Sequence, residues 1–311
     1  MSEPEPPEST GQSFRNVLVA AGLLVPTGAD GLYGRSADYE SVVAAVEGLA
    51  SRAGVADGSV TYRFPPVMPR EVLEQTGYLS SFPDLIGSVS TFKGDNKDHI
   101  KLLEMVESGS EWSELLAPTG LTLCPSACHP LYPTLTGSMP EGGRYFEVSG
   151  WSFRHEPSLD PARMQAFRMH ELVYVGDERH AREHRDRWLQ MGLASLAALG
   201  LPVEAVVAND PFFGRVGRIL ANNQRDETLK YEIVTPLHSA DHPTAIASAN
   251  CHLDHFAQPF GIRTAAGEVA HTCCFAFGVD RITLALLQAH GFRLGDWPGE
   301  VRAELWPDAG D

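Results

Sequence analysis

The residues best suited to chemistry lie in two short segments, FRHE from Phe153 to Glu156 and QAFRMHE from Gln165 to Glu171. Each carries an Arg and a Glu, and a polar loop over Pro157 to Gln165 leads from one to the other. Alternate side chains of a strand share a face, so Arg154 aligns with Glu156, and Phe167 with Met169 and Glu171. An arginine there can fork two donors onto a phosphate, a glutamate can accept from an exocyclic amine, and an aromatic ring can stack on a base. The competing reading is cross-strand ion pairing on a solvated face. Five cysteines, Cys124, Cys128, Cys251, Cys273 and Cys274, form a second reservoir. An odd, sparse count in a long chain argues against a disulfide framework and leaves free thiols, metal ligands or both. His238, Asp241, His242, His252, Asp254 and His255 form a third, with donors that would suit a metallohydrolase but without the helical His pair of an HExxH motif.

These groups need elements to hold them. The stretch Ser36 to Gly54 has a Ser cap, helical spacing of Tyr39, Val42, Val43, Val46 and Leu49, and a terminal Gly, which predicts an amphipathic helix. Val60 to Phe64 alternates as a short strand, and PREVLEQTGYL after it reads as a second helix. RYFEVSGWSFRHE and FRMHELVYVG read as an antiparallel pair around the polar loop. A charged helix follows from Asp177 to Leu199, stopped at Gly200 to Pro202, then a basic helix over Arg215 to Leu229 and a strand at Tyr231 to Val234. The chain closes with strands at ANCHLDHF and HTCCFAFG and a helix from Val279 to Gln288. The pattern predicts an α+β domain with one central, antiparallel sheet and flanking helices.

Composition narrows the function. The chain has 311 residues, 43% hydrophobic and 21% charged, as a soluble globular protein would. With 24 basic against 40 acidic side chains the net charge is −16, which argues against nonspecific nucleic-acid binding. No apolar run approaches the roughly 18 residues of a membrane span. Residues 1–13 are acidic and Pro-rich without a basic n-region, which predicts a disordered tail and a cytoplasmic protein.

Taken together, FRHE with QAFRMHE resembles motif 2 of the class II aminoacyl-tRNA synthetases, FGVDRITLALL resembles motif 3, and VTYRFPPVMPREVLEQTGYLSSFPDLI resembles motif 1 of the seryl enzymes. SACHPLYP, PSLDPARMQAFRMHE, NDPFFGR, SADHPTA and HTCCFAFGVDR resemble the amino acid:[carrier protein] ligases, relatives of atypical seryl-tRNA synthetases that lack a tRNA-binding domain. The resemblance implies a class II catalytic fold over residues 14–311, a homodimer, and a zinc ion in each subunit held by Cys128, Glu171 and Cys274. Two thiolates and a carboxylate leave a fourth tetrahedral position open, suited to a free amino group. Cys273 and Cys124 compete for the two sulfur positions, Cys273 from the opposite sheet face.

For ATP the resemblance implies Arg154 on the α-phosphate, Glu156 on the adenine edge, Phe167 stacked on the ring and Arg281 on the γ-phosphate. Arg163 and Met164 belong to the loop that closes on the nucleotide, and Lys230 and Glu232 lie near the triphosphate and its Mg2+. Related seryl enzymes carry an acidic metal ligand where this chain has Thr244, which leaves the magnesium ligands unassigned. Ser248 and Asn250 are amino-acid-binding candidates. The implied activity is ATP-dependent activation of a small amino acid, glycine or alanine, as an aminoacyl-adenylate, and its transfer to the phosphopantetheine thiol of a holo carrier protein. No sustained heptads or basic stripe suggest a tRNA partner. A carrier is itself acidic, so Arg215, Arg218 and Arg225, on one face of an inserted helix near 212–229, are the expected docking residues. A second basic helix with Arg182, Arg185 and Arg187 reads as a salt-bridged face. The alternatives are a minimal seryl-type tRNA synthetase, a relative that binds ATP without turnover, and a zinc-dependent hydrolase.

Overall fold

The computed structural model describes residues 10–56, 58–210, 228–238 and 241–307. Its centre is a seven-stranded sheet of β1 (Val60–Arg63), β2 (Arg144–Phe153), β3 (Ala166–Gly176), β4 (Glu204–Val207), β5 (Lys230–Thr235), β6 (Thr244–Leu253) and β7 (His271–Gly278). The spatial order is β4-β5-β6-β7-β3-β2-β1, antiparallel throughout except for β1, which runs parallel to β2 at one edge. The helices that flank it include α1 (Thr10–Ala20), α2 (Ala37–Ala56), α3 (Glu178–Ala198) and α4 (Val279–His290). This is the expected α+β arrangement. Among the described residues no helix is long and apolar enough to cross a membrane.

Local chemistry explains the boundaries. Ser36 opens α2 by accepting from the Tyr39 amide at 3.2 Å, and Asp177 opens α3 by accepting from the His180 amide at 3.0 Å. The segment after β1, expected as one helix, is instead two, Arg70–Gln75 and Tyr78–Ser81, because Gly77 between them takes a φ of 71°. Helix α1 begins at Thr10, inside the stretch expected to be a disordered tail, while residues 1–9 lie outside the described residues. So do Arg215, Arg218 and Arg225, the expected carrier-docking residues. Arg185 departs from the solvated face expected of it: it is buried, donates to the Thr228 carbonyl and packs over the Tyr231 ring.

Strand alternation splits the core into two layers. Leu172, Ile233, Phe275 and Phe277 point to one side and pack with Val42, Val46, Trp188 and Leu284 of the helices. Gly192 lets α3 approach, since a Cβ there would sit 2.1 Å from the Phe275 ring. On the other side Phe146, Val148, Val173, Val175 and Cys274 pack with Cys128, Leu131, Tyr132, Phe256 and Phe260. Each fully buried side chain of this size contributes about 1.5–3 kcal/mol.

The edge strand is held differently, because its residues are exposed, Val60 and Tyr62 among them. Its anchor is the buried Glu147 of β2, which accepts from Thr61 at 3.0 Å and from Arg63 at 3.2 Å. His170 Nε2 lies 3.3 Å from the same carboxylate, off the line of a formal hydrogen bond. The nearby His170, helped by Ser51 and Thr61, holds the Glu147 carboxyl down at about 2, against the opposing effect of burial. A depressed carboxyl contributes stability that is present above its ordinary value of 4.5 and is lost as pH falls toward about 2. Urea denaturation from pH 7 down to pH 2 should therefore show wild type more stable than Glu147→Gln at neutral pH, with the gap closing below about pH 4. A gap independent of pH would contradict this anchoring role.

Candidate functional site

Sheet register brings the candidate residues together. Across four strands one rung runs Glu232, Ser248, Ala276, Glu171, and the next runs Lys230, Asn250, Cys274, Val173. Directly opposed residues have Cβ atoms about 4.5–5.5 Å apart, and diagonal ones remain within reach of longer side chains. Glu171 and Cys274 are therefore diagonal neighbours by construction. A cavity of about 650 Å³ opens over these rungs, and every described candidate except Arg163 lines it. Arg163 is largely exposed, 3.9 Å from Glu156.

One end of the cavity gathers arginines, a lysine and an aromatic ring beside the carboxylates of Glu156, Asp210 and Glu232. Arg154 and Glu156 lie just past the end of β2, and the Arg154 guanidinium stands 5.4 Å from the centroid of the Phe167 ring. Arg281, at the start of α4, donates to the Ala162 and Ala245 carbonyls at 2.8 and 2.9 Å, which ties it to the loop between β2 and β3. Burial, and then the neighbouring Arg154, lower its affinity for its proton. Met164 in that loop is buried against Arg35. Lys230 pairs with Asp210 and with Glu232, whose charges outweigh burial and raise its pKa.

Sulfur and carboxylate meet at the other end. The turn at 124–131 is wrapped around Glu171, whose Oε1 accepts from Ser126 Oγ at 2.8 Å and from the amides of Ala127 and Cys128 at 2.9 and 3.3 Å. Its Oε2 is buried without a partner. Burial, reinforced by Cys274, pushes the Glu171 carboxyl up to about 7. The two buried thiols perturb one another in opposite directions, raising Cys128 and lowering Cys274. Among the described residues no three His, Cys, Asp or Glu side chains are already set at metal spacing. Cys128, Glu171 and Cys274 nevertheless converge, and an orphaned buried oxygen beside two soft sulfurs is a donor set that suits zinc.

The competitors lie elsewhere. Cys124 Sγ is bonded to the Pro65 carbonyl at 3.6 Å, and Cys273 is buried on the opposite sheet face with Tyr174. Cys251 is a buried core thiol that also lines the cavity. The His-rich group is dispersed: His238 pairs with Asp160 at 2.8 Å, His255 with the Thr76 carbonyl at 2.9 Å, and Asp241 and His242 are exposed. Only His252 approaches the thiols, 3.7 Å from Cys274.

No protein-family model matches the chain. It is 43% identical over 286 residues to amino acid--[acyl-carrier-protein] ligase 2 of Bradyrhizobium diazoefficiens, covering 91% of this chain and 85% of that protein. It is 42% identical over 277 residues to ligase 1 of the same organism, covering 88% and 85%. The chain belongs to the amino acid–[acyl-carrier-protein] ligase family. Its fold is that of the class II synthetases: the Methanopyrus kandleri seryl-tRNA synthetase, solved in complex with Aquifex aeolicus tRNASec, superposes over 98% of this chain with a TM-score of 0.79 at 23% identity. This ligase-family chain spans 62% of that synthetase chain.

Sequence reasoning named His252 only within the His-rich group, not beside Cys274, and it missed Ser126 and, above all, Asp280. That buried carboxylate accepts from the Arg168 amide at 2.6 Å, the Arg168 guanidinium at 3.0 Å and the Tyr39 hydroxyl at 3.2 Å, and lies 3.1 Å from Arg35 Nε. Its place between Val279 and Arg281 in motif 3 was visible, but not its partners. Asp280→Ala leaves two buried guanidiniums short of a carboxylate and should cost about 3–5 kcal/mol. Urea denaturation followed by tryptophan fluorescence measures this, and a loss under about 1 kcal/mol would show that Glu40, which accepts from the Arg168 guanidinium at 3.0 Å, alone satisfies it.

Proposed function

We propose that the protein activates a small amino acid, glycine or alanine, with ATP and transfers it to the phosphopantetheine thiol of a holo carrier protein. The observation that supports this is one cavity, in a chain of the ligase family, with phosphate- and ring-binding groups at one end and Cys128, Glu171 and Cys274 at the other. Arg154 is assigned to the α-phosphate, Phe167 to stacking on the adenine, Glu156 to its amine edge and Arg281 to the γ-phosphate, with Arg163 and Met164 closing the loop over the nucleotide. Lys230 and Glu232 border the triphosphate and its Mg2+.

Cys128, Glu171 and Cys274 would hold zinc, which when bound supplies a Lewis-acid position for the substrate's amino group. Ser248 and Asn250, on the same sheet face, orient the carboxylate toward the α-phosphorus. Attack by that carboxylate gives an aminoacyl-adenylate and pyrophosphate, and Arg154 and Arg281 offset the charge that develops. The carrier's thiolate then displaces AMP at the activated carbonyl, forming a thioester. Arg215, Arg218 and Arg225 are the proposed docking residues for the acidic carrier. The exposed edge around Val60 and Tyr62 supports the proposal of a homodimer.

Amino-acid-dependent exchange of labelled pyrophosphate into ATP, followed by transfer to purified holo carrier or to total tRNA, tests the reading. Exchange is expected with glycine or alanine and label on the carrier. Arg154→Ala and Arg281→Ala should each lower exchange by about 10²-fold or more, and Cys274→Ala should abolish both exchange and bound zinc. Absence of exchange with any small amino acid would overturn the activity, and label on tRNA would overturn the choice of acceptor.

A further inference from the structure

Among the described thiols of the cavity, Cys274 is the one approached by two side-chain nitrogens. Asn250 Nδ2 donates to its Sγ at 3.5 Å, and His252 Nε2 lies 3.7 Å from the same sulfur. The backbone is shaped to aim this histidine. Cys251 pairs with Cys273 and Leu253 with Thr272, so His252 is the extra residue of a β-bulge, and Leu253 beside it holds a φ of 54°. Bulges re-aim side chains next to functional sites, and a non-glycine residue at positive φ is retained where its surroundings enforce it.

The other ring nitrogen fixes the tautomer. His252 Nδ1 lies 3.1 Å from the hydroxyl of Thr272, a fully buried residue. The hydroxyl has a proton to place, and its hydrogen bond among the described residues is to this nitrogen. A hydroxyl that donates there makes Nδ1 the acceptor and leaves the ring proton on Nε2, facing sulfur. Phe256 packs edge-on against the imidazole at 4.8 Å and 72°, which holds the ring plane. We propose that His252 is a positioning residue that donates Nε2–H to the Cys274 sulfur, with Thr272 setting its tautomer, and so pre-orients that sulfur as a metal ligand.

This inference rests on the zinc reading above. Outer partners of metal ligands fix their orientation, and removing one typically costs 10–100-fold in metal affinity. A direct-ligand role for His252 would need Nε2 without its proton, which the Thr272 hydroxyl disfavours.

Zinc titration of the full chain against a chromophoric chelator tests the proposal. Wild type is expected to hold one zinc per chain. His252→Ala should bind it about 10–100-fold more weakly, His252→Gln should recover part of the loss through its amide N–H, and Thr272→Val should weaken it less than His252→Ala. With cobalt(II) in place of zinc, the sulfur-to-metal charge-transfer band should shift in His252→Ala. Thermal melts of the metal-free proteins check folding, and His252→Gln carries the test should His252→Ala fail to fold. Affinity and band unchanged from wild type would overturn the proposal while leaving the zinc reading intact. Imidazole scattering in the zinc X-ray absorption spectrum of wild type, lost in His252→Ala, would also overturn it by making His252 a ligand. A wild-type chain that binds no zinc would overturn both.

Discussion

The buried carboxylate of Asp280 is the contact on which the geometry of the cavity depends. It sits where the start of α4 meets the start of β3, and it binds both the backbone and the side chain of Arg168. Arg35 and Tyr39, from the N-terminal layer, converge on the same oxygens. A lone buried charge would cost several kcal/mol, so these donors are needed together, and the cost of losing any of them locks three separate chain segments into one arrangement. Arg281 follows Asp280 directly and Phe167 precedes Arg168 directly. The distance between the Phe167 ring and the Arg281 guanidinium is thereby set by the side chain of Asp280, which lies between their chain segments.

Electrostatics follow from the same arrangement. The chain carries a net charge of −16, yet its cavity gathers Arg154, Arg168, Lys230 and Arg281. Each is held by short contacts to carboxylates, to carbonyl oxygens or to an aromatic ring. The positive charge is local, since Glu156, Asp210, Glu232 and Asp280 line the same cavity, and an acidic exterior keeps unspecific polyanions away. At the opposite end the logic inverts: thiols and a carboxyl crowd into apolar surroundings with one oxygen unsatisfied, a state that a soft divalent cation would relieve.

Much of this was legible in the sequence. Strand alternation placed Met169 and Glu171 on one face and separated Cys274 from Cys273, and both hold in the structure because a period of two leaves no latitude; Phe167, expected on that same face, lines the cavity too but packs against the helix-side core. Capping chemistry located the start of α2, and the charged run from Asp177 to a Gly-Leu-Pro stop located α3. What could not be read depends on contacts between segments far apart in the chain. Asp280 finds Arg35 and Tyr39, Ser126 finds Glu171, and His252 reaches Cys274 only because of a bulge that no local pattern announces. The break at Gly77 was missed for another reason, since a glycine within a helical pattern is compatible with a continuous helix until its φ is known.

The rungs that join Glu232, Ser248, Ala276 and Glu171, and Lys230, Asn250, Cys274 and Val173, also constrain how such a sheet can change in length. Adding or deleting one residue within β6 or β7 would turn every later side chain of that strand to the other face, carrying Ser248 and Asn250, or Cys274, out of the cavity at once. Insertions and deletions are thus confined to the connections, such as the 154–165 loop and the turn at 124–131. The two ends of the cavity are mechanically one unit, and the chain can change length around the sheet but not within it.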